Sequence, residues 1–356
     1  MASRAANLHR SFRPRLTKWY LHHRRDLPWR PAPGRPANPY HVLVSEAMLQ
    51  QTQVATVLPY FERFIAAFPT VEALAGADLQ AVLRLWQGLG YYRRARHLHA
   101  AAQRIVADLG GMVPRSPEAL LTLPGVGRYS AGAVASIAYD VPAPILDGNV
   151  ARVLARVFAI DTPVDATATR RRLWDLATAL VPRRGAGDFN QAMMEMGATV
   201  CLPRQPRCSA CPLQGLCQAQ VRGLTDRLPV ASPRRAAKAI RHDIVAVRCG
   251  GRYLFEQRPA TGLWAGLWQL PTREEAGLTL DAWLGQRLRL DTGSLQRVGE
   301  FTHQLTHRTV TFVLWTAGLP RRQRGTWRTL EAVDDLPLAN PQRRAIAMLR
   351  QAAATA

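Results

Sequence analysis

Apolar residues recur at helical spacing through most of the first 225 residues. Positions 71–85, 150–160 and 173–181 repeat their apolar residues every three or four places, which is the pattern of a helix with one buried face. Glycines and prolines interrupt the pattern at short intervals and indicate brief connections. We therefore predict one mainly α region over residues 1–225.

The pattern changes near residue 225. Residues 226–240 hold prolines and basic residues with little periodicity, which is typical of a linker. Beyond them, Ile244–Cys249 and Tyr253–Arg258 flank Gly250-Gly251, the signature of a β-hairpin. A helix over 281–290 and two strands within 298–318 complete the prediction of an α+β domain over residues 241–356.

The charge balance points to a polyanion. Lys and Arg number 47 against 25 Asp and Glu, which gives a net charge of +22. An excess of this size favours nucleic acid as partner and disfavours small cations. Lys18 and Lys238 are the only lysines, so a genomic preference for arginine explains part of the excess.

The chain lacks the signals of export and membrane insertion. No run of about 18 apolar residues occurs, and no apolar segment follows the early arginines. We expect a bacterial cytoplasmic protein near the nucleoid, a monomer with no membrane partner.

Four of the five cysteines lie close together in the sequence. Their spacing is Cys201-x6-Cys208-x2-Cys211-x5-Cys217, which predicts a metal site in the loop 201–217. Zinc ribbons generally need two Cys-x2-Cys pairs, and this loop has one. An iron–sulfur cluster takes one thiolate per iron and is favoured, while structural zinc remains open. Cys249 ends a predicted strand and is interpreted as a packing thiol.

A tight turn lies between two helical stretches at Gly125-Val126-Gly127-Arg128. Glycines on both sides of a valine allow successive N–H groups to point outward at the start of a helix. That geometry binds a DNA phosphate without reading sequence. The alternative is an ordinary helical hairpin whose glycines serve close packing.

Two acidic residues are candidates for catalysis. Glu46 has apolar neighbours on a predicted helix, and burial raises the pKa of a carboxyl so that it can donate a proton near neutral pH. The alternative is a glutamate at the helix edge that accepts a hydrogen bond from Gln50, four residues on. Asp147 precedes the helix through Ile160, where an N-cap is the plainer interpretation.

Together these features resemble the endonuclease III superfamily of helix-hairpin-helix DNA glycosylases, with the helix-hairpin-helix at 117–138. Within it, four stretches look like the adenine-specific MutY family: Leu27–Arg30, Ser45–Val54, Gly88–Tyr92 and Asn190–Met194. The C-terminal domain is similar to the Nudix-like lesion-recognition domain of that family. The resemblance implies a helical glycosylase region, an α+β Nudix-like domain, and excision of adenine opposite 8-oxoguanine or guanine in double-stranded DNA.

The resemblance also assigns residues. Glu46 would be the general acid, and Asp147 would stabilise the oxocarbenium-like sugar. Supporting catalytic groups would be Tyr129, Asn149 and Glu195. The adenine pocket would be walled by Arg25, Leu27, Trp29 and Arg30, and the strand would be wedged by Gln51 and Tyr91. One 4Fe-4S cluster would be held by Cys201, Cys208, Cys211 and Cys217.

Some positions depart from related enzymes. Lyases of the superfamily use a lysine where this chain has Tyr129, so we predict a monofunctional enzyme. Certain relatives have a lysine where this chain has Ala151, so borohydride trapping there should be weak. The Phe-Ser-His lesion reader of relatives is replaced by Leu305-Thr306-His307, with Thr306 and His307 as candidate readers and His303 as a rival.

The C-terminal domain is not predicted to be a working Nudix hydrolase. Arg273–Gly277 resembles a remnant of the glutamate box, but the glutamate expected after Gly266 is absent. Two other functions stay open at this point. The first is a glycosylase that acts on thymine mismatches or oxidised pyrimidines. The second is a protein that binds mismatches without catalysis.

Overall fold

The computed structural model describes residues 2–31, 36–232, 237–274 and 278–355. The chain divides into two compact units: Met1–Gly76 with His97–Pro233, and Ala77–Arg96 with Arg234–Ala356. The second unit thus contains a segment from the middle of the predicted helical region.

Helices account for the regular structure described before residue 233. They are α1 (Ala2–His23), α2 (Pro39–Leu49), α3 (Val54–Ala67), α4 (Val71–Ala75), α5 (Leu79–Trp86), α6 (Arg93–Leu109), α7 (Pro117–Leu121), α8 (Arg128–Tyr139), α9 (Gly148–Val157), α10 (Thr167–Leu180), α11 (Ala186–Thr199) and α12 (Gln218–Val221), with a 3₁₀ turn at Cys208–Ala210. The predicted all-α character of this region is confirmed. None of the helices in the described ranges is both long and apolar enough to span a bilayer.

The continuous helix expected over 71–85 is wrong. α4 ends at Gly76, and α5 begins after Asp78, whose carboxylate accepts from Gln80 N at 3.0 Å and Ala81 N at 3.2 Å. Asp78 therefore caps a new helix, and this helix belongs to the second unit while α4 belongs to the first.

The core of the first unit forms where α1, α9, α10 and α11 meet. Phe12 and Leu16 on α1 are fully buried there, together with Leu154 on α9 and Leu173 on α10. This packing fixes the start of α9 against α11, which places two candidate site helices side by side.

The second unit is built on a mixed seven-stranded sheet. Its strands are β1 (Lys238–Cys249), β2 (Arg252–Gln257), β3 (Trp268–Gln269), β4 (Thr272–Glu274), β5 (Gln296–Gln304), β6 (Arg308–Gly318) and β7 (Thr326–Arg328), and its helices are α13 (Leu280–Leu288) and α14 (Asn340–Thr355), with 3₁₀ turns at Thr292–Ser294 and Glu331–Val333. The main order is β3-β2-β1-β6-β5, with β4 paired to β1 and β7 to β2. β1 and β6 are parallel, and the other pairs are antiparallel.

Both faces of this sheet are covered. Ile244 and Phe312 pack with Ile346 of α14 on one face, while Val245 packs with Leu284 of α13 on the other. The predicted hairpin is confirmed, since Arg248 pairs with Tyr253 and Cys249 with Arg252. Burial on both faces explains the continuous apolar run in β1.

The first strand is longer than predicted. β1 begins at Lys238, inside the stretch interpreted as linker, because Lys238 onward pairs in parallel register with β6 from Arg308. At the other end of that stretch, the Leu228 carbonyl accepts from Arg156 Nε at 2.8 Å and Val164 N donates to the Val230 carbonyl at 3.1 Å. Residues 233–236 lie outside the described residues.

The segment Ala77–Arg96 is bonded to the rest of the second unit by specific hydrogen bonds. Gln80 Nε2 donates to the Gly266 carbonyl at 3.1 Å, and Trp268 Nε1 donates to Gln80 Oε1 at 3.2 Å. The Tyr92 hydroxyl donates to the Leu338 carbonyl at 3.0 Å. These contacts are why α5 belongs to this unit.

Candidate active site

Glu46 lies on an apolar helix. α2 is capped by Asn38, whose side chain accepts from the Tyr40 and His41 N–H groups. Most residues of α2 are buried. Glu46 is 4% exposed, and its Oε2 has no hydrogen-bond partner among the described residues. The Gln50 amide donates to Ser130 Oγ at 3.2 Å. Glu46 is therefore a buried acid with one oxygen left for another ligand.

Burial raises the pKa of Glu46 from 4.5 to about 7. A hydrogen bond from Tyr129 lowers it, the charge of Asp147 raises it, and the charge of Arg30 lowers it. These interactions show that all three groups surround Glu46. At neutral pH its carboxyl is present in substantial part with its proton, as a general acid requires.

Asp147 is the N-cap of α9, as its position in the sequence predicted. Its Oδ1 accepts from Val150 N at 2.7 Å, and its Oδ2 accepts from Asn149 Nδ2 at 2.9 Å. The Asp147 carboxyl thus accepts two hydrogen bonds at the N-terminus of α9, the positive end of the helix dipole. The capping and catalytic interpretations are compatible, because the side chain is only partly buried.

Tyr129 lies between the two carboxylates. Its hydroxyl has two acceptors in reach, Met194 Sδ at 3.2 Å and the Glu46 carboxylate. Burial raises the pKa of Tyr129 well above its ordinary value, and the charges of Glu46 and Asp147 raise it further. The phenol is therefore a neutral donor beside Glu46.

Glu195 on α11 is held by two arginines. Its Oε1 accepts from Arg25 Nε at 2.6 Å, and its Oε2 accepts from Arg30 NH2 at 2.8 Å. Burial raises the pKa of Glu195, but the hydrogen bonds and charges of Arg25 and Arg30 outweigh burial and leave the pKa lowered. This ionised glutamate holds the segment before α2 in place. Its partner Arg30 also lowers the pKa of Glu46.

The other two residues predicted for the pocket wall are buried beside this pair. Leu27 is 5% exposed and Trp29 is 7% exposed. Trp29 packs edge-on against Phe61, with ring centroids 5.1 Å apart. A turn closed by the Arg30 N–H on the Leu27 carbonyl at 2.8 Å holds them in place.

The predicted hairpin joins α7 to α8. Gly125 has φ +76°, and a Cβ there would come within 2.5 Å of His97 Cβ. Val126 N donates to the Leu123 carbonyl at 3.2 Å, and Gly127 is the N-cap of α8, which has no capping side chain. The exposed start of α8 is thus open to an anion, and Arg128 stacks over Trp174 at 3.9 Å from the ring centroid.

The four clustered cysteines line one pocket, which is about 330 Å³ including its open mouth. Burial raises the pKa of the Cys211 thiol to about 11, and the charges of Cys201, Cys217 and Cys208 raise it further. Among the described residues, no three His, Cys, Asp or Glu side chains are grouped as ligands of a single metal ion. Four thiols spread around one pocket fit a group that takes one thiolate per metal atom.

Two arginines on α9 escaped the sequence analysis. Arg152 donates to Asn149 Oδ1 at 2.8 Å and to the Cys201 carbonyl at 2.8 Å. Arg156 is 1% exposed, and its NH1 lies 3.3 Å from Cys201 Sγ. The sequence contained a signal for them, because Asn149, Arg152 and Arg156 are spaced three and four residues apart and so share one face of a helix. One helix thus connects Asp147 to the cysteine loop.

In the second unit, Thr306 and His307 form the exposed tip of the β5–β6 turn. The Leu305 N–H donates to the Arg308 carbonyl at 2.8 Å and closes this turn. Leu305 packs on the domain core. The Tyr91 hydroxyl lies 3.4 Å from Thr306 Oγ1, so the unit brings two of the predicted site residues together.

The rival reader, His303, lies back in β5. Its ring is 6.4 Å from that of Trp264, and burial lowers its pKa, with Arg344 lowering it further.

The two residues predicted to wedge the strand have left-handed backbone. Gln51 has φ +60°, and Tyr91 has φ +49° with 51% of its surface exposed. Such strain is typical of functional positions.

The remnant of the Nudix box is only partly described. Glu274 accepts from Arg258 NH2 at 2.7 Å, and Arg273 pairs with Asp243 at 2.5 Å. Residues 275–277 lie outside the described residues. The carboxylate of Glu274 is thus engaged by an arginine.

Comparisons with known proteins identify the family of each part of the chain. Residues 44–178 match the HhH-GPD superfamily of base excision DNA repair proteins, and residues 244–348 match the NUDIX domain. The adenine DNA glycosylase of Rattus norvegicus is 41% identical over 364 residues, covering 87% of this chain and 70% of its own. That of Buchnera aphidicola subsp. Schizaphis graminum (strain Sg) is 30% identical over 334 residues, covering 92% and 95%.

Among solved structures, a thermostable thymine-DNA glycosylase matches with TM-score 0.55 and 30% identity, over 61% of this chain and 99% of its own. Fold, hairpin and buried carboxyl together define a helix-hairpin-helix DNA glycosylase. Within that class, the chain belongs to the adenine DNA glycosylase family. It is an enzyme that acts on adenine in DNA, so the mismatch binder without catalysis is excluded.

Proposed function

We propose that this chain is a monofunctional glycosylase that hydrolyses the N-glycosidic bond of adenine paired with 8-oxoguanine or guanine. One observation carries the proposal. Glu46 is a buried carboxyl with a pKa of about 7, within the electrostatic influence of Asp147. Two carboxyl groups with different environments suit general acid and charge stabiliser in glycoside cleavage.

Adenine must leave the base stack before these groups reach it. The wall of the pocket is assigned to Arg25, Leu27, Trp29 and Arg30, which the Glu195 ion pairs hold together. The wedge is assigned to Gln51 and Tyr91. Their exposure and left-handed backbone support that role.

In the chemical step, Glu46 gives its proton to a ring nitrogen of adenine. The bond between the base and C1′ of the sugar breaks, and its electron pair leaves with adenine. Asp147 stabilises the positive charge on the sugar, and water then adds to C1′ and releases a proton. Asn149 holds the Asp147 carboxylate, and Tyr129 orients Glu46. Glu195 holds the residues of the pocket wall in place.

The absence of strand cleavage follows from the residues. A lyase needs an amine to form a Schiff base, and the position used by lyases is Tyr129. The lysines of the chain are Lys18 and Lys238. Ala151 supplies no substitute, so trapping with borohydride is expected to be weak.

Reading of the opposite base is assigned to Thr306 and His307. Their exposure at the tip of the β5–β6 turn and the contact of Thr306 with Tyr91 support it. Thr306 keeps a hydroxyl that donates or accepts at the edge of 8-oxoguanine or guanine. Gly125, Val126, Gly127 and Arg128 are assigned to a phosphate of the duplex.

One 4Fe-4S cluster is assigned to Cys201, Cys208, Cys211 and Cys217. When bound, such a cluster links the loop through four iron–thiolate bonds and is able to carry an electron. Arg156 NH1 lies 3.3 Å from Cys201 Sγ, so a cationic side chain borders one of the assigned ligands. Cys208→Ser is expected to lose iron and most duplex affinity, whereas Cys249→Ser, outside the loop, keeps both. A Cys208→Ser protein with full affinity would refute the assignment.

The proposed reaction is tested by single-turnover assays on duplexes with adenine opposite 8-oxoguanine, guanine or thymine. Strand breaks are expected only after alkali, and only opposite the first two bases. Glu46→Gln should abolish base release while leaving duplex affinity intact, because it removes an acid and no phosphate contact. Undiminished turnover by this variant would reject the role of Glu46. Two further predictions remain, a monomer in sedimentation and a bacterial cytoplasmic location.

A further inference from the structure

Exposed arginines collect at one end of the sheet in the second unit. β1 and β6 run parallel, so their final residues, with Arg248 paired to Gly318, lie at the same end. The turn to β2, the loop after β6 and the end of α13 meet there. The arginines of these segments are all exposed and are called the arginine end: Arg248, Arg252, Arg289, Arg321, Arg322 and Arg324.

Hydrogen bonds hold these segments together. Leu319 N donates to the Arg248 carbonyl at 2.8 Å, which places the loop after β6 beside the β1–β2 turn. Gln323 Nε2 donates to the Leu288 carbonyl at 2.8 Å, which places the same loop beside the end of α13. Trp327 Nε1 donates to the Gln323 carbonyl at 2.8 Å. The six arginines therefore share one surface.

The arginines of this surface have no carboxylate partner among the described ion pairs. Several other arginines of the domain pair with carboxylates: Arg241, Arg258, Arg273, Arg287, Arg297 and Arg350. Within the described ranges, no such pair involves the arginine end. Asp291 is close in sequence to Arg289, but its side chain accepts from Ser294 N at 2.9 Å. Six unpaired guanidinium groups repel one another unless an anion is present.

The chemistry of the surface indicates the kind of partner. A protein partner generally requires a core of apolar and aromatic groups, and the exposed large apolar residues of the described chain lie outside these segments. Guanidinium groups without large exposed apolar neighbours suit phosphates, which they bind in pairs of hydrogen bonds. Duplex DNA is the phosphate polymer on which this family acts.

The arginine end is remote from the proposed lesion reader. β6 has 11 residues and begins next to the Thr306-His307 turn. At about 3.3 Å per residue, the strand spans about 36 Å or somewhat less. A phosphate bound at its far end therefore does not belong to the base pair read at Thr306.

We propose that the arginine end is a second DNA-binding surface, which contacts duplex backbone away from the lesion. The phosphates come either from the flank of the same duplex, about one helical turn away, or from a separate duplex. The surface adds affinity for undamaged DNA and takes no part in base release.

The test compares two variants of the full chain that lose equal charge. One is Arg321→Gln/Arg322→Gln/Arg324→Gln, and its control is Arg287→Gln/Arg297→Gln/Arg350→Gln, which removes three paired arginines. Affinity for an undamaged duplex about four helical turns long is measured against salt. The first variant should lose about 2 from the slope of log affinity against log salt and about tenfold in affinity. The control should change neither.

Two further measurements assign the source of the phosphates. If the loss vanishes with a duplex of about one turn, the flank of the same duplex is bound. If unlabelled duplex speeds dissociation of the parent from a labelled duplex but not that of the variant, a second duplex is bound. Base release at saturating enzyme on a short duplex should be unchanged, which shows that the variant is folded.

Equal salt slopes and affinities for the two variants would overturn the proposal. So would a variant that binds DNA normally but loses affinity for polyglutamate, because that result would assign the surface to an acidic protein.

Discussion

Arg30 and Glu195 form a buried ion pair in which NH2 lies 2.8 Å from Oε2, and the two side chains are 6% and 0% exposed. The pair joins the segment before α2 to α11. The same guanidinium opposes the rise of the pKa of Glu46. A structural contact and the tuning of the candidate acid therefore depend on one arginine.

Glu195→Gln should destabilise the protein markedly. It leaves the buried charge of Arg30 without a partner, which costs about 3 kcal/mol in the free energy of unfolding. The matched control is Glu300→Gln, because Glu300 pairs with Arg297 where both side chains are more than half exposed, at 56% and 53%. The control should cost less than about 1 kcal/mol. Urea denaturation measures both, and equal losses would contradict the distinction.

Base release should depend on pH through Glu46. The acid must carry its proton, so the single-turnover rate should be level at low pH. Above the Glu46 pKa of about 7, it should fall about tenfold per pH unit. A rate that stays level well above that value would assign the proton to another donor.

Tyr129→Phe should move this alkaline limb to higher pH. The hydrogen bond from Tyr129 lowers the pKa of Glu46, so its loss lets burial raise that pKa further. Tyr139→Phe is the control, since Tyr139 lies on the same helix but donates to the Val113 carbonyl. A limb that shifts equally in both variants, or shifts to lower pH with Tyr129→Phe, would count against the role of Tyr129.

Glu46→Gln should stabilise the protein at alkaline pH. Folding raises the pKa of Glu46 from 4.5 to about 7. The contribution of Glu46 to stability is therefore fully present below its pKa in the unfolded chain. It is lost as pH rises through its pKa in the folded protein. The cost of ionisation in the fold reaches about 3 kcal/mol above pH 7. The neutral amide avoids this cost.

The free energy of unfolding of Glu46→Gln, relative to the parent, should therefore increase by about 2.5 kcal/mol between about pH 5 and pH 8. Glu300→Gln provides the comparison, because its exposed carboxylate should leave this difference nearly constant. No change with pH in the Glu46 variant would mean that the carboxyl is not buried as described.

The two hairpin glycines should respond differently to alanine. A Cβ at Gly125 meets His97 at 2.5 Å in left-handed backbone, whereas one at Gly127 meets nothing within 4 Å. Gly125→Ala should cost about 2 kcal/mol in the free energy of unfolding and weaken duplex binding. Gly127→Ala should stay within about 0.5 kcal/mol. Thermal unfolding measures the stability of both variants. A larger loss of stability for Gly127→Ala than for Gly125→Ala would refute the described packing of the turn.

The sequence predicted the elements whose signals are local. The Gly250-Gly251 turn formed as expected, and Asp147 caps its helix. The break between α4 and α5 was missed, because apolar residues keep helical spacing across Gly76 and Asp78. That break depends on packing in two different units, which a periodic pattern does not contain.

The site shows the same division. Glu46 was singled out because its apolar neighbours signal burial, and the cysteines were singled out by spacing. Arg152 and Arg156 were missed, because a charged residue on a helix is usually solvated. Their burial depends on carbonyls of the cysteine loop that approach only in the folded chain.

The membership of Ala77–Arg96 in the second unit governs how the protein can be divided. A fragment ending at residue 225 keeps Gln80 and Tyr92 but loses Gly266 and Leu338, to which they donate. A C-terminal fragment, in turn, lacks a helix that forms part of its own fold. The two units are interleaved along the chain, so a cut at the linker does not separate them. Mixing such fragments should restore folding by complementation, whereas joining residues 77–96 to the C-terminal piece should yield an independently soluble module.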